Sequence, residues 1–533
     1  MDAIFYNAKV RTLDDDNRIA EAVGIQDGKI AFVGSNEEAL QLGCENLVDL
    51  KGKLLLPGFV DSHMHMLHYA FVECSVKLFD CKSVEECLAL ARARLEENPT
   101  KPLTWLFCRG WNHDRFDVPR YPTKQELDAL STEIPIIMVR VCGHVAVCNS
   151  CGLELLKQIP QFSQIENDVN QETGLLRENA VQFYYSVLEA PSQEEVEDLI
   201  RYGIKKLNEG GFTGIQSDDL ASLPGKNWRR ILKAFQSLDA KGDMTLRVYE
   251  QCLFEECDAA KAFVEEGFRT GQTGNHFTVG PMKMLQDGAL GARTAAMNAP
   301  YEGEADNLGV IIYTQEELDD IVAFHDQHQM QVAIHCIGDR AMDMVIEAIA
   351  KSPYRKDNPK GRHGIVHAQI TNKRILEAMA KQQILAYVQP VFVDLDMDIV
   401  ESRIGKERMD GVYAWKTMLD LGIPTSGGSD APVVSFDVME NIYFAVTRKN
   451  AKGLPPEGWI PSEKLSVDEA VKLFTKYAAY ASYTEKENGT IEVGKRADLA
   501  VLERDIYEMD PEEIPKTKID RTILDGKVVY ARP

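Results

Sequence analysis

The stretch that most constrains the fold of this chain runs from Leu54 to His65. It is an almost continuous apolar run interrupted by a Pro-Gly pair, which is typical of a short strand buried on both faces. At its end the polar residues Asp61, His63 and His65 occupy every second position. Because side chains alternate across a strand, these three share one side. Two imidazoles presented together favour a metal-ligand pair, although two core histidines with satisfied hydrogen bonds would produce the same motif.

Length and charge limit the classes of protein that need to be considered. The 533 residues are enough for one large domain with additions or for two to three domains. A net charge of -24 argues against a surface for nucleic acid or anionic lipid. No apolar run approaches the roughly 20 residues of a membrane span, and the N-terminus lacks the features of a signal peptide. We therefore expect a cytoplasmic protein with no nucleic-acid or membrane partner.

The 11 cysteines are an odd number, and without an export signal they are expected to be reduced thiols. Cys148 and Cys151 form a CxxC motif with Cys142 nearby, which could bind zinc or act as a redox pair. Because no second CxxC pair accompanies the motif, buried thiols are the favoured interpretation.

Both ends of the chain have β character. Residues 22–33 alternate around Asp27-Gly28, which is a strong hairpin signal, and residues 522–530 repeat the pattern around Asp525-Gly526. Residues 497–502 form a further strand candidate. Neither terminal segment is large enough to bury a core alone, so we predict that residues 1–56 and 488–533 combine into one small β-sandwich domain.

Between the termini, strand and helix patterns alternate, which is typical of a parallel sheet. Eight short buried strands are predicted, at residues 59–65, 213–217, 245–251, 277–285, 331–335, 364–367, 384–389 and 424–429. Eight such strands with intervening helices predict a (β/α)8 TIM barrel formed by residues 57–70 and 192–487. The gap after the first strand is too long for one helix, so residues 71–191 are expected to form an α/β subdomain that caps the active site, with strands near 103–108 and 136–141.

Polar residues follow or occupy several of these predicted strands. Lys283 lies within apolar strand four, His335 ends strand five, His367 ends strand six, and Asp430 follows strand eight. Each signal is weak alone, but the active sites of such barrels lie at the carboxyl ends of the strands, where these residues would join His63 and His65. Imidazole and carboxylate ligands suit zinc and related divalent ions, so the pattern predicts a metal centre.

This arrangement of HxH, Lys, His, His and Asp on strands one, four, five, six and eight resembles the metal-dependent amidohydrolase superfamily. The segments that narrow the resemblance to the branch of the N-substituted formamide deformylases are residues 110–112, 142–144, 286–295, 337–341, 429–432 and 494–499. The similarity covers essentially the whole chain. It identifies a superfamily and a branch of it, but no particular substrate.

The resemblance implies a centre of two divalent ions, expected to be zinc. His63, His65 and Asp430 would bind one ion, and His335 and His367 the other. Lys283 would bridge them as a carbamate, because an ammonium group cannot ligate a cation. Asp430 would act as general base and then as general acid while a hydroxide attacks a small amide. A rival account pairs a protonated Lys283 with Asp287 beside a single ion.

Trp111 and His144, in the predicted insertion, are candidate substrate contacts, with a packed aromatic and a structural histidine as the alternatives. Several functions remain open at this stage. A deaminase, lactonase, esterase or phosphotriesterase could use the same barrel, and a catalytically inactive binding or regulatory relative belongs to another class. Because a mononuclear deaminase would not need Lys283, that residue favours the amide hydrolase. The sequence leaves a homodimer open.

Overall fold

The computed structural model describes residues 1–97, 104–254 and 256–533. Its contacts divide the chain into two compact units, which are described separately. The first comprises residues 1–66, 201–219 and 235–533, and the second comprises residues 67–200 and 220–234. The predicted boundaries at 56/57, 70/71, 191/192 and 487/488 remain predictions. No helix within the described ranges is long and apolar enough to cross a membrane.

The first unit contains an eight-stranded sheet in which all neighbouring strands are parallel and adjacent in sequence order. The eight strands are Phe59–Met64, Phe212–Ser217, Arg247–Leu253, Phe277–Leu285, Val332–Cys336, Gly364–His367, Leu385–Val388 and Thr425–Gly427. They are called barrel strands one to eight below. Helices separate most of them, including Gln315–Gln327, Asp339–Lys351 and Lys373–Gln382, and the helix Val438–Thr447 follows barrel strand eight. The predicted TIM barrel is confirmed, and all eight predicted strands are present.

The first and last strands close the barrel through residues near their carboxyl ends. The backbone N–H of Asp430 donates to the carbonyl oxygen of His63 at 2.8 Å. The carboxylate of Asp61, on barrel strand one, accepts the N–H of Ser429, just beyond barrel strand eight. Barrel closure therefore depends on the two segments that carry the predicted metal ligands.

The apolar run of residues 54–60 contributes to strands of two different sheets. Leu54–Pro57 pairs with Leu499–Leu502 in a sheet of the terminal segments, and barrel strand one begins only at Phe59. Gly58 lies at the break, where a Cβ atom would approach Thr213 Oγ1 to 2.2 Å. Only glycine permits this close passage from one sheet to the other.

The terminal segments form two sheets with a shared core. The six-stranded sheet contains, in spatial order, Lys527–Ala531, Ile519–Leu524, Leu499–Leu502, Leu54–Pro57, Lys9–Arg11 and Ile19–Ala20. The four-stranded sheet contains Lys29–Gly34, Ala22–Gln26, Ala3–Tyr6 and Leu47–Asp49. Phe5, Val23, Leu55 and Val501 belong to one buried cluster drawn from both sheets. Both ends of the chain thus contribute to one β-sandwich, as the sequence predicts.

The predicted hairpins also form. Asp27 and Gly28 both have positive φ, 52° and 73°, between Ala22–Gln26 and Lys29–Gly34. Asp525 and Gly526 repeat this conformation, at 47° and 76°. Turns of this kind follow the twist of the paired strands and favour Asp-Gly.

The second unit contains its own six-stranded sheet. In spatial order the strands are Val169–Asn170, Leu175–Arg177, Val145–Cys148, Ile136–Arg140, Leu106–Trp111 and Val76–Lys77. The prediction of strands near 103–108 and 136–141 agrees with two of them, although residue 103 lies outside the described residues. Cys148 is buried and Cys151 half-buried, and both are free thiols in a unit without a second CxxC pair.

Candidate active site

The carboxyl end of the barrel brings together the six residues that the sequence selects as metal ligands. His63 lies in barrel strand one, and His65 follows it directly. Lys283, His335 and His367 occupy barrel strands four, five and six, and Asp430 follows barrel strand eight. In parallel strands these positions fall at one rim. The imidazole ring centres of His63 and His367 are 5.6 Å apart, and those of His335 and His367 are 4.5 Å apart.

His63 and His65 both approach the carboxylate of Asp430. Its Oδ1 atom lies 2.9 Å from His65 Nε2 and 3.4 Å from His63 Nε2. Its backbone has a φ of +64°, which is uncommon for a residue with a side chain. Strain of this kind persists where surrounding contacts enforce it, here including the hydrogen bond from Asp430 to His63. The chain therefore fixes this carboxylate against the HxH pair.

Side-chain amides hold two of the imidazoles in a defined tautomer. Gln251 Oε1 accepts from His63 Nδ1 at 2.8 Å, and Gln389 Oε1 accepts from His367 Nδ1 at 2.7 Å. Each contact places the proton on Nδ1 and leaves the Nε2 lone pair for a ligand. Gln251 and Gln389 are the last residues of the predicted strands 245–251 and 384–389, but neither was selected from the sequence as a site residue.

His335 is held in the other tautomer. Its Nε2 lies 3.2 Å from the carbonyl oxygen of Gly288, so this nitrogen donates and Nδ1 keeps the lone pair. The Asp287 carboxylate lies 3.5 Å from the same Nε2 and accepts backbone N–H groups of Ala296, Ile337 and Gly338. Burial raises the pKa of Asp287 to about 7, against the effect of those donors. Asp287 thus ties the loop after barrel strand four to the segment after strand five.

Asp218 is a charged residue of this site that was not selected from the sequence. It directly follows barrel strand two and is 1 % exposed. Its Oδ1 contacts His65 Nδ1, and its Oδ2 lies 3.3 Å from Lys283 Nζ. The rule used for the other strands, a polar residue at the strand end, would also have found it. Lys283 is therefore paired with Asp218, and the rival pairing with Asp287 is wrong.

Burial and neighbouring charges favour the neutral form of three of the four histidines. Burial and the positive charge of Lys283 lower the pKa of His63, and the same two causes lower that of His335 to about 4. Burial, reinforced by His335, lowers the pKa of His367. Neutral imidazole is the form that binds a metal ion. These three side chains are therefore suited to ligation at neutral pH.

His65 differs because it lies between two carboxylates. Although burial opposes the shift, Asp218 and Asp430 raise its pKa to about 10. His65 and Lys283 lower the pKa of Asp218 to about 2 in spite of its burial. Asp218 and Asp430 concentrate negative charge around His65, and a divalent cation would balance that charge.

The donor set fits a divalent metal. His63, His65 and Asp218 present ligand atoms that all lie within 4.8 Å of one another. With Asp430, His335 and His367, the rim offers imidazole nitrogens and carboxylate oxygens, the donors that zinc prefers. In metal sites of this kind, ligands are usually held by further hydrogen bonds, as Gln251 and Gln389 hold His63 and His367. The residues present therefore fit a divalent metal ion.

Trp111 and His144 lie in the second unit. Trp111 is fully buried in its core, and the indole Nε1 donates to the carbonyl oxygen of Met138 at 2.9 Å. This environment favours the packed aromatic that the sequence analysis gave as the alternative to substrate contact. His144 is exposed, and its Nδ1 contacts Glu178 Oε2 at 3.0 Å. Its role in substrate binding remains a prediction.

Comparison with known proteins decides the family. The profile of the amidohydrolase family matches residues 46–530. The chain belongs to the amidohydrolase family. A Bacillus subtilis (strain 168) protein assigned to the amidohydrolases, YtcJ, is 32 % identical over 547 aligned residues that cover 100 % of both chains. The superfamily recognised from the sequence motifs is confirmed, and this amidohydrolase is a hydrolase that acts on carbon–nitrogen bonds.

Two further proteins are similar to this chain over nearly its whole length. The N-substituted formamide deformylase of Arthrobacter pascens is 26 % identical, covering 100 % of this amidohydrolase and 98 % of the deformylase. The crystal structure of an uncharacterized metal-dependent hydrolase from Pyrococcus horikoshii OT3 superposes with a TM-score of 0.80 at 25 % identity. It covers 96 % of this amidohydrolase and 99 % of the archaeal chain. Over nearly its whole length the chain is thus similar both to a formamide deformylase and to a protein described as a metal-dependent hydrolase.

Proposed function

We propose that this amidohydrolase cleaves the non-peptide carbon–nitrogen bond of a small N-formyl or N-acyl amide at a divalent metal centre. The observation that carries the proposal is the approach of His63 Nε2 and His65 Nε2 to one oxygen of Asp430, at 3.4 and 2.9 Å. Three further candidate ligands lie on the same barrel rim. The similarity to a formamide deformylase supports the N-formyl class of substrate.

We propose that the centre holds two zinc ions. His63, His65 and Asp430 would hold one ion, His335 and His367 the other, and a carbamylated Lys283 would bridge them. Five imidazole and carboxylate ligands are too few for two four-coordinate ions unless an anionic group is shared. When bound, the ions would activate a water molecule and polarise the carbonyl group of the substrate.

Asp430 is the residue that we assign to proton transfer. Its contacts with His63 and His65 both fall on Oδ1. We therefore assign Oδ2 to accept a proton from the attacking water and to deliver it to the amide nitrogen as the carbon–nitrogen bond breaks. Water adds to the carbonyl carbon, so the products are a carboxylic acid and an amine. The neighbouring imidazoles lower the pKa of Asp430, against the effect of burial, which keeps it ionised as a base.

A mononuclear centre is the second candidate, and two observations favour it. Lys283 pairs with Asp218, and among the described residues His63, His65 and Asp218 are the group whose ligand atoms all lie within 4.8 Å of one another. A single ion there, with an unmodified lysine, would resemble the deaminase-like alternative. The number of ions bound per chain separates the two accounts.

The variant Asp430→Asn tests the proposed chemistry. It keeps the shape of the side chain but removes the base, so turnover of an N-formyl amide should fall by roughly 10²–10⁴-fold. A panel of N-formyl, N-acyl and cyclic amides, assayed with metal content measured alongside, identifies the substrate class. A variant with wild-type turnover and wild-type metal content would assign the base elsewhere.

A further inference from the structure

We infer that Asp218 is a positioning residue that holds two of the proposed metal ligands, His65 and Lys283, in place at once. The inference rests on the proposed metal centre and assigns a residue outside the six predicted ligands. Asp218 directly follows barrel strand two, His65 directly follows barrel strand one, and Lys283 lies in barrel strand four. One carboxylate thus connects side chains that come from separate strands of the barrel.

The contacts of Asp218 engage both carboxylate oxygens. Oδ1 contacts Nδ1 of His65, and Oδ2 lies 3.3 Å from Nζ of Lys283. The backbone N–H of Asp218 donates to the carbonyl oxygen of Met64 at 3.2 Å, which joins this residue to barrel strand one beside His65. The carboxylate is 1 % exposed, and a buried carboxylate is costly unless it is paired. Its position is therefore fixed from three directions.

The contact with His65 determines which ring nitrogen faces the site. An imidazole that ligates through Nε2 donates its Nδ1–H to an acceptor, which fixes the tautomer and the ring orientation. Asp218 is that acceptor, and the opposite nitrogen, Nε2, lies 2.9 Å from Asp430. His65 Nε2, which faces Asp430, is therefore the ring nitrogen that would hold a metal ion.

The contact with Lys283 sets the position of its terminal nitrogen. Nζ lies 3.4 Å from His63 Nε2, so Asp218 holds it beside the first histidine of the HxH motif. Because Lys283 is 4 % exposed, little solvent is available to hold the amine in its place. The geometry gives Asp218 a positioning role. Direct ligation by Asp218, which lies close to His63 and His65, is the alternative that the experiment below separates from it.

Two substitutions separate the contacts of Asp218. Asp218→Asn keeps an oxygen that can accept from His65 Nδ1–H but replaces the oxygen that accepts from Lys283 Nζ with an NH₂ group that cannot accept. Asp218→Ala loses both contacts. Removing a partner that orients a metal ligand typically weakens metal binding by roughly 10–100-fold. We expect Asp218→Ala to show a loss in this range and Asp218→Asn a smaller one.

A matched control is available at the other end of barrel strand six. Asp326 is buried, and its Oδ1 accepts from Nε2 of His363, at 2.8 Å, just before that strand begins. Asp326→Asn therefore alters a buried carboxylate–imidazole pair that includes none of the proposed metal ligands. It should retain wild-type affinity for Zn²⁺ even if its melting temperature falls.

The experiment measures Zn²⁺ affinity by chelator competition and the visible absorption spectrum of the Co²⁺-loaded protein, with melting temperature recorded for each variant. A positioning role predicts weakened binding with a four-ligand Co²⁺ spectrum that is shifted but retained in Asp218→Asn. Wild-type affinity and spectrum in both Asp218 variants would overturn the inference. Loss of one coordinating group from the Co²⁺ spectrum of Asp218→Asn would also overturn it, in favour of direct ligation. Wild-type protein that binds neither ion would instead remove the proposed metal centre, and with it the role of Asp218.

Discussion

The carboxylate of Asp61 accepts the backbone N–H of Ser429 through both oxygens, each at 3.1 Å. Asp61 also accepts the N–H of His63 at 3.0 Å. One buried side chain on barrel strand one thus fixes the backbone next to Asp430 and the backbone of His63. Barrel closure and the alignment of the proposed ligands depend on the same carboxylate.

Substitution of Asp61 should therefore affect both stability and metal binding. In Asp61→Asn one acceptor oxygen is replaced by an NH₂ group that faces backbone donors. Leaving a buried donor unsatisfied costs about 1–3 kcal/mol, and we expect the free energy of unfolding to fall by this amount. Urea denaturation and Zn²⁺ titration measure the two effects. The control is Asp15→Asn, since the Asp15 side chain is 98 % exposed. Unchanged stability in Asp61→Asn would contradict the account.

His325 gives the structure a pH-dependent stability that is separate from the active site. It lies on the helix Gln315–Gln327, where burial lowers its pKa from 6.5 to about 4. Below pH 6.5 the unfolded chain takes up a proton that the folded chain does not bind until about pH 4. Stability is therefore fully present above pH 6.5 and falls as the pH decreases towards 4, by about 3 kcal/mol in total.

In the variant His325→Leu, the free energy of unfolding should depend less on pH between pH 6.5 and about pH 4. The substitution removes the titrating group while keeping an apolar side chain in the core. Unfolding free energies of wild type and variant, measured by urea denaturation from pH 7.5 to pH 4, make the test. The control Phe324→Leu changes packing on the same helix but removes no titratable group. An equal pH slope in wild type and His325→Leu would show that His325 does not contribute.

Because both ends of the chain form one β-sandwich, we expect the folded state of the N-terminal segment to depend on the C-terminal strands. Leu499–Leu502 pairs with Leu54–Pro57, and Val501 shares a core cluster with Phe5. Deleting the residues after Gly489 should therefore expose residues 1–50 to protease. Limited proteolysis followed by mass spectrometry detects the cleavage sites. Protection of residues 1–50 in the truncated chain, as in the full chain, would contradict a joint domain.

The barrel and most of the site could be predicted from the sequence because both leave local signals. Buried parallel strands are short apolar runs, and a polar residue at the end of such a run indicates the active rim, as with His335 and His367. The Asp-Gly pairs located the terminal hairpins for a similar reason, since their backbone conformation suits few other residues.

Other features depend on contacts that no local pattern encodes. The pairing of Lys283 with Asp218 joins barrel strands four and two, and the sequence offered Asp287, four residues away, as the nearest carboxylate. The split of residues 54–60 between two sheets depends on the passage of Gly58 beside Thr213. The burial of Trp111 likewise follows from the packing of a sheet whose strands are distant in sequence.

Carbamylation of Lys283 can be tested directly. Metal-loaded protein supplied with ¹³C-bicarbonate should show a carbamate carbon resonance, which Lys283→Arg should lack. Lys283→Ala should lose metal and activity, and a short carboxylic acid should restore part of both, because it can supply the missing bridging oxygens. A metal-loaded wild-type protein with an unmodified Lys283 and one ion per chain would favour the mononuclear centre.

We propose that the rim formed by His63, His65, Lys283, His335, His367 and Asp430 is a metal centre that carries the hydrolytic activity. The decisive measurement is elemental analysis of protein purified without chelator, combined with hydrolysis of an N-formyl amide before and after metal removal. We predict up to two zinc ions per chain, loss of activity on chelation and recovery when Zn²⁺ is added. Full activity in protein that contains no divalent transition metal would contradict the account.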